Sequence, residues 1–157
     1  MDYELFLSSN LNWKSLAEII RSTIVGSVNE EITVHTSEEE IVIGIKYFSL
    51  ALEIEDISDI AFIRRHYDLD VNVCIRVQLF GETFYQGIEV LFEVIGNLMR
   101  QVGGNLLFLE NGSDQLLRKE NGQLIVNSDL DQYQEKYLTK SLLSFLEHSY
   151  INEKLPN

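Results

Sequence analysis

The chain contains little proline, cysteine and positive charge. Its 157 residues include one proline, one cysteine and 12 Lys and Arg, against 25 Asp and Glu. The lone cysteine, Cys74, excludes a disulfide within the chain and is typical of a reducing compartment. Nucleic-acid binding requires clustered cations, and the largest basic groups here are Arg64 with Arg65 and Arg118 with Lys119. We therefore expect no nucleic-acid partner.

Long apolar runs and motifs for catalysis or cofactor binding are also missing. No run approaches the roughly 20 residues that span a bilayer, and Met1 to Phe6 carries acids where a secretory signal carries cations. Because anionic lipid also repels an acidic chain, we expect no membrane partner and a cytoplasmic location. No phosphate-binding glycine loop or nucleophile elbow occurs in the sequence. We therefore expect a protein that is not an enzyme and has no cofactor.

Negative charge is what the sequence has in excess, and it is concentrated in one stretch. The formal net charge is -13, and between Glu30 and Asp59 the only cation is Lys46. The carboxylates of this stretch are Glu30, Glu31, Glu38, Glu39, Glu40, Glu53, Glu55, Asp56 and Asp59. Concentrated charge of one sign favours rapid association with a basic partner. The hydrophobic fraction of 45% indicates a folded globule, and this length suits one domain.

Apolar periodicity predicts a strand and then a helix at the start of the chain. Residues 3–7 alternate as a short strand. Apolar residues then recur at helical spacing from Trp13 to Val25, which predicts a helix with Trp13 in the core and Gly26 as its C-terminal cap.

The acidic stretch and the segment after it predict further strands. Apolar residues alternate over 41–47 and then on the opposite parity over 48–54. A change of parity exchanges the two faces of a strand, so it requires a bulge or a tight turn between the two segments. The second segment would carry Glu53 and Glu55 on one face. The clearest strand covers 70–80, and its alternation places Cys74 on the wet face.

The second half of the chain predicts a long helix, a meander and a last helix. Thr83 with Gln86 forms a possible capping box for a helix that ends at Gly103. Glycines inside this helix, Gly87 and Gly96, weaken it and therefore indicate close approach to the sheet.

Two Asn-Gly pairs, at 111–112 and 121–122, predict hairpin turns in a three-stranded meander. Ser128 with Asp131 can cap one final helix, and the tail is predicted to fray from about Asn152. The pattern as a whole predicts an α+β fold, a single domain over 1–157 in which a mainly antiparallel sheet carries helices packed on one face.

Several runs in the middle of the chain resemble a known family. They are HYDLDVNV from His66, EVLFEVI from Glu89, NLLFLENG from Asn105 and LLRKENG from Leu116. With the opening strand YELFL, this order resembles the Sit-type immunity proteins of bacterial polymorphic-toxin systems. The resemblance covers residues 66–127 and the first strand. It implies a cytoplasmic protein, without activity of its own, that binds and neutralises a toxin delivered by a competing neighbour. No family binding residues map onto this chain by motif.

The acidic stretch is the candidate binding surface for such a toxin. Carboxylates on a rigid domain would block a basic groove, such as a nuclease uses for phosphate, and would steer association with it. Exposed Tyr residues often dominate interfaces. The candidate toxin-binding residues are Glu38, Glu39, Glu40, Glu53, Glu55, Asp56, Asp59, Tyr67 and Tyr85.

Two other interpretations stay open beside this one. In an extended segment His66, Asp68 and Asp70 would project from one face and could hold a divalent metal or serve a small hydrolase. Arg64 and Arg65 oppose cation binding there, and no fourth ligand is indicated, so we predict no metal. A non-enzymatic adaptor or scaffold domain that binds a partner through an apolar patch is the main alternative function. The oligomeric state is left open.

Overall fold

The computed structural model describes residues 1–156, which form one mixed sheet with helices on both of its faces. The strands are β1 (Asp2–Leu7), β2 (Thr33–Thr36), β3 (Glu40–Gly44), β4 (Phe48–Glu53), β5 (Val73–Leu79), β6 (Leu106–Glu110), β7 (Asp114–Glu120), β8 (Gln123–Asn127) and β9 (Tyr150–Glu153). The α-helices are α1 (Trp13–Ser27), α2 (Ile60–Tyr67), α3 (Phe84–Val102), α4 (Gln132–Tyr137) and α5 (Lys140–Ser144). The strand order is β2-β3-β4-β5-β1-β6-β7-β8-β9. Neighbouring strands are antiparallel except β8 and β9, which are parallel. The predicted α+β fold class is confirmed.

The first strand lies in the middle of the sheet, with one apolar face and a second face that is polar at Asp2 and Glu4 and apolar at Phe6. Tyr3, Leu5 and Leu7 face the main core, and Phe6 is buried on the opposite face. Strand β1 pairs with β5 on one side and β6 on the other.

Helix α1 begins where predicted and ends two residues later. The side chain of Asn12 accepts a hydrogen bond from the Ser15 amide, which caps the N-terminus. Gly26 lies inside the helix, so its prediction as the cap is wrong. In the last turn the Ser27 hydroxyl lies within hydrogen-bond distance of the Thr23 carbonyl and of the Glu93 carboxylate of α3 and shares its proton between them. Trp13, predicted in the core, is 46% exposed, because only the part of the stripe that faces α3 and the sheet is buried.

Helix α3 is the main cover of the sheet and ends at Gly103, as predicted, with a φ of 73°. Thr83 makes no side-chain capping bond, so the predicted capping box is absent. The interior glycines do mark close approaches. A side chain at Gly87 would contact Leu79 of β5 and the Tyr47 backbone, whereas one at Gly96 would meet the Leu146 backbone after α5.

Helix α2 covers part of the opposite sheet face, which the periodicity did not predict. Its Ile63 and Tyr67 pack with residues of β1, β5 and β6 in a second, smaller core. The remaining members of this core are Phe6, Leu69, Val71, Cys74, Leu107 and Leu109. The helices are therefore not confined to one face. Cys74 is buried against α2 rather than placed on a wet face.

The strand predictions hold with shorter boundaries. The change of parity at Tyr47 is a tight turn, in which the Ile45 amide donates to the Phe48 carbonyl at 3.0 Å. The strand predicted over 70–80 is regular only from Val73. In the meander both turns form as predicted, with Asn111 at φ 51° and Asn121 at φ 52°.

The C-terminal region differs from the prediction in two ways. Asp131, with Gln134 completing a capping box, begins α4, but Thr139 caps a separate α5 in place of one continuous helix. The tail is not frayed from Asn152, because β9 pairs with β8 and Leu155 is 5% exposed. Only Asn157 of that tail lies outside the described residues. No helix within 1–156 combines the length and the apolar character that crossing a bilayer requires.

Candidate protein-binding surface

Four carboxylates meet at one corner of the sheet, which we call the acidic tip: Glu38, Glu39, Glu55 and Asp56. All four are exposed. The β2–β3 turn carries the first two and the loop after β4 carries the others. The backbone amides of Ile54 and Glu55 both donate to the Glu39 carbonyl, at 2.8 and 3.0 Å. These bonds fix the two acidic segments side by side. Within residues 1–156, no acidic-tip carboxylate takes part in an ion pair.

A serine shapes the first half of the acidic tip. The Ser37 amide donates to the Glu40 carbonyl at 2.9 Å and closes the turn. Its hydroxyl oxygen accepts from the amides of Glu39 and Glu40, at 3.2 and 3.3 Å. Both turn residues, Glu38 and Glu39, are thereby held outside the ladder, so their side chains extend into solvent.

Asp56 and Asp59 organise the start of α2. The Asp56 carboxylate accepts from the Ile60 amide at 3.0 Å. Asp59 is the N-cap, with a φ of 55°, and its side chain accepts from the Phe62 amide at 3.2 Å. Carboxylates are favourable at this position because they satisfy free amides at the positive end of the helix dipole. Both acids were predicted as binding residues, and both remain exposed although they accept hydrogen bonds from amides of α2.

Glu53 does not belong to the exposed surface, although it was predicted there. It is 5% exposed, and its carboxylate accepts from the amides of Ile57 and Ser58, each at 3.1 Å. Arg76 of β5 donates to it at 2.9 Å and reaches Glu40 at 2.8 Å. Glu55 lies beyond the end of β4, so the predicted shared face of Glu53 and Glu55 is wrong.

An open groove lies beside this ion pair on the sheet face that α1 and α3 leave free. Its volume is about 390 Å³, and its walls include Asp2, Glu4, Ser49, Arg76 and Gln78. Burial raises the pKa of the Glu4 carboxyl. Because Arg76 is already paired with two carboxylates, the groove adds negative charge to the same half of the sheet.

Two exposed apolar side chains follow the acidic tip along the chain. Ile57 is 52% exposed in the loop, and Phe62, in the first turn of α2, is 48% exposed. The Phe62 ring stacks on His66 with ring centroids 5.3 Å apart. Sequence reasoning missed this pair, although an apolar residue between Asp56 and Ser58 was a signal for it. The segment thus presents apolar side chains among carboxylates.

The two tyrosine candidates have different environments. Tyr67, predicted as an exposed aromatic, is buried in the core under α2, where its hydroxyl donates to the Ser113 carbonyl at 3.3 Å. Tyr85 is 63% exposed, as expected for a residue off the apolar stripe of α3. Tyr133 of α4 is also exposed, and its hydroxyl contacts the Met1 sulfur.

The possible metal ligands do not share one extended face. His66 lies in α2, Asp68 ends that helix with a φ of 48°, and Asp70 pairs with Arg64 at 3.5 Å. In the part of the chain that the structure describes, no three His, Cys, Asp or Glu residues are placed to hold a metal ion. Burial also raises the pKa of the Cys74 thiol, so the reactive thiolate is disfavoured there.

Comparison of the chain with protein-family models, with curated proteins and with solved structures finds no match. The function is therefore inferred from the geometry of the acidic tip and of the residues around it.

Proposed function

We propose that this chain is a cytoplasmic immunity protein that binds and neutralises a basic toxin domain through the acidic tip. The observation that carries the proposal is the set of four exposed carboxylates, held by backbone hydrogen bonds and without cationic partners among the described residues. Because clustered carboxylates repel one another, a cationic partner that covers them lowers the electrostatic free energy of this surface.

The fixed backbone conformation of the acidic tip favours binding. Two turns and one short helix fix its backbone before any partner arrives, so binding has little loop entropy to overcome. Ile57 and Phe62 can supply the apolar contact that most interfaces have at their centre, and the carboxylates can form the charged rim. The groove beside Arg76 extends the negative surface.

The charge of the acidic tip indicates a partner with a basic surface. A groove lined with Lys and Arg for phosphate binding is complementary to clustered carboxylates, so a nuclease domain is the first toxin class to test. The resemblance of residues 66–127 to Sit-type immunity proteins supports a toxin as the partner. Catalysis by this chain forms no part of the proposal.

Co-expression with the toxin domains encoded next to the gene tests the proposal. Wild-type protein should restore growth with one of them, and a variant with Glu38, Glu39 and Glu55 replaced by lysine should not. The control variant replaces the exposed Glu82, Glu89 and Glu135 by lysine, which changes the net charge equally, and it should protect. Protection by the first variant, with thermal melts showing both folded, would contradict the acidic tip as the interface.

A second candidate function is an adaptor domain that binds through aromatic side chains. Tyr85 and Tyr133 are 63% and 48% exposed. Beside them lies a cavity of about 220 Å³ lined in part by Tyr85, Tyr137 and Leu142. The control variant distinguishes this function, because Glu89 and Glu135 lie on α3 and α4, the helices that carry these tyrosines, and Glu82 lies in the turn just before α3. An adaptor would lose its partner with the control variant and with Tyr85→Ala/Tyr133→Ala, but not with the acidic-tip variant.

A further inference from the structure

Strand β2 ends the sheet with an unpaired backbone edge. It pairs only with β3, and Ser37 closes the turn between them by donating to Glu40. Hydrogen-bonded and non-hydrogen-bonded pairs alternate along an antiparallel ladder. Counting back from Ser37, the amides and carbonyls of Thr33 and His35 therefore point to β3, and those of Val34 and Thr36 point away from the sheet.

Nothing in the described chain covers this edge. All four residues of β2 are exposed, and Val34 is 50% exposed. Outside the ladder, no hydrogen bond within residues 1–156 uses the amide or carbonyl of Val34 or Thr36. Natural edge strands are usually blocked by a proline, an inward charge or a bulge. Strand β2 has none of these, and its residues Thr, Val, His and Thr include three that favour extended backbone.

Charges at both ends of β2 determine what can pair with it. Glu30 and Glu31 precede the strand, and Glu38 and Glu39 follow it. If two copies paired antiparallel about a two-fold axis at His35, Glu31 of each copy would lie opposite Glu39 of the other. Like charges directly opposite each other destabilise a ladder, so self-pairing is disfavoured. The same charges are complementary to a strand with a cation at each end.

We infer that the free edge of β2 adds an extended segment of the toxin domain to the sheet as a further strand. This inference rests on the proposed function. The segment bonds through its backbone to the amides and carbonyls of Val34 and Thr36. It has β-branched residues in its middle and Lys or Arg at both ends, where they meet the glutamates that flank β2.

A synthetic peptide, Lys-Lys-Thr-Val-Thr-Val-Lys-Lys, tests the edge without the toxin. The peptide is titrated into the protein and amide hydrogen exchange is measured. Binding of the peptide should slow exchange at the Val34 and Thr36 amides and leave exchange at the amides of β9 unchanged. A peptide with glutamate in place of every lysine should not bind. Equal exchange at Val34 and Thr36 with and without the basic peptide would overturn the inference.

Substitution at Val34 tests the same edge in the protein. Val34→Pro removes one outward amide and leaves the bonds to β3 in place, since proline is tolerated where the amide faces solvent. We expect it to bind the basic peptide about tenfold more weakly, whereas Val34→Thr, which keeps the amide, should bind as the wild type does. Unchanged peptide affinity in folded Val34→Pro would also overturn the inference.

The toxin assay separates this inference from the proposed function. If wild-type protein restores growth and Val34→Pro restores it equally, the edge is not the contact and the proposed function stands. If no encoded toxin is neutralised but the basic peptide still protects Val34 and Thr36, the edge binds strands and the proposed function fails.

Discussion

At the scale of single residues, burial separates carboxylates that are equivalent in the sequence. Glu53 and Glu55 are two positions apart in one acidic stretch, yet Glu53 is 5% exposed and Glu55 is exposed. The difference comes from Arg76, which lies 23 residues further along the chain and donates to Glu53. Glu53 also accepts from two amides and from the Ser58 hydroxyl. It thereby joins β4, the loop before α2 and β5.

Removing the Glu53 carboxylate should therefore destabilise the fold. Glu53→Ala leaves two amides without an acceptor and Arg76 with Glu40 alone, and we expect the free energy of unfolding to fall by about 2 to 4 kcal/mol. The partial exposure of Arg76 keeps the loss in that range, because water can solvate its guanidinium. Urea unfolding measures it. Glu55→Ala is the control and should change stability by less than about 0.5 kcal/mol. Similar values for the two variants would contradict the role of Glu53.

At the scale of elements, α3 shows how glycine sets the distance between helices. Gly96 lies where the chain after α5 crosses α3, and a Cβ atom there would lie 2.8 Å from the Leu146 carbonyl carbon. Arg100, one turn later, donates to the Leu146 carbonyl at 2.7 Å. The glycine allows the approach and the arginine holds it. A Cβ atom added at Gly26 in α1 would have no neighbouring atom within 4 Å.

The two glycines should therefore respond oppositely to alanine. Gly26→Ala should stabilise the protein by about 0.5 to 1 kcal/mol, because alanine loses less backbone entropy in a helix. Gly96→Ala should destabilise it by about 1 to 3 kcal/mol, because backbone atoms must move to admit the methyl group. Thermal unfolding followed by circular dichroism measures both changes. Stabilisation by Gly96→Ala would show that the α3–α5 contact is looser than described.

Elements with a strong local signal could be predicted from the sequence, and those made by distant contacts could not. The apolar periodicity of α3 and the two Asn-Gly pairs are signals that lie entirely within the segments they describe. The positions predicted from them are confirmed. Helix α2 has only eight residues, and it forms because Ile63 and Tyr67 pack on a sheet face built from distant strands. Strand β9 is exposed from Ile151 to Glu153 and depends on its pairing with β8. For the site, exposure of Glu38 and Glu39 followed from their turn, whereas burial of Glu53 required Arg76.

At the scale of the whole molecule, the position of the charge matters more than its total. The formal net charge of -13 repels any acidic surface, and within residues 1–156 the β2 end brings exposed carboxylates without ion-pair partners together with a free strand edge. A basic partner would therefore be oriented toward that end as it approaches. Cations elsewhere, such as Arg21 and Arg100, are paired with local glutamates and contribute little to the long-range field.

Association kinetics should reveal this asymmetry. For wild-type protein and the neutralised toxin, we expect an on-rate near 10⁸ M⁻¹s⁻¹ at low salt, on the order of magnitude of steered complexes, that falls steeply as ionic strength rises. Each Glu→Lys replacement adds two units of charge, so both triple-lysine variants move the formal net charge from -13 to about -7. The variant at Glu38, Glu39 and Glu55 should lose most of the salt dependence and associate slowly, because its field no longer favours the binding end. The variant at Glu82, Glu89 and Glu135 should keep most of both. Stopped-flow measurements over a series of salt concentrations compare the slopes, and equal slopes for the two variants would mean that net charge, rather than the acidic tip, steers the encounter.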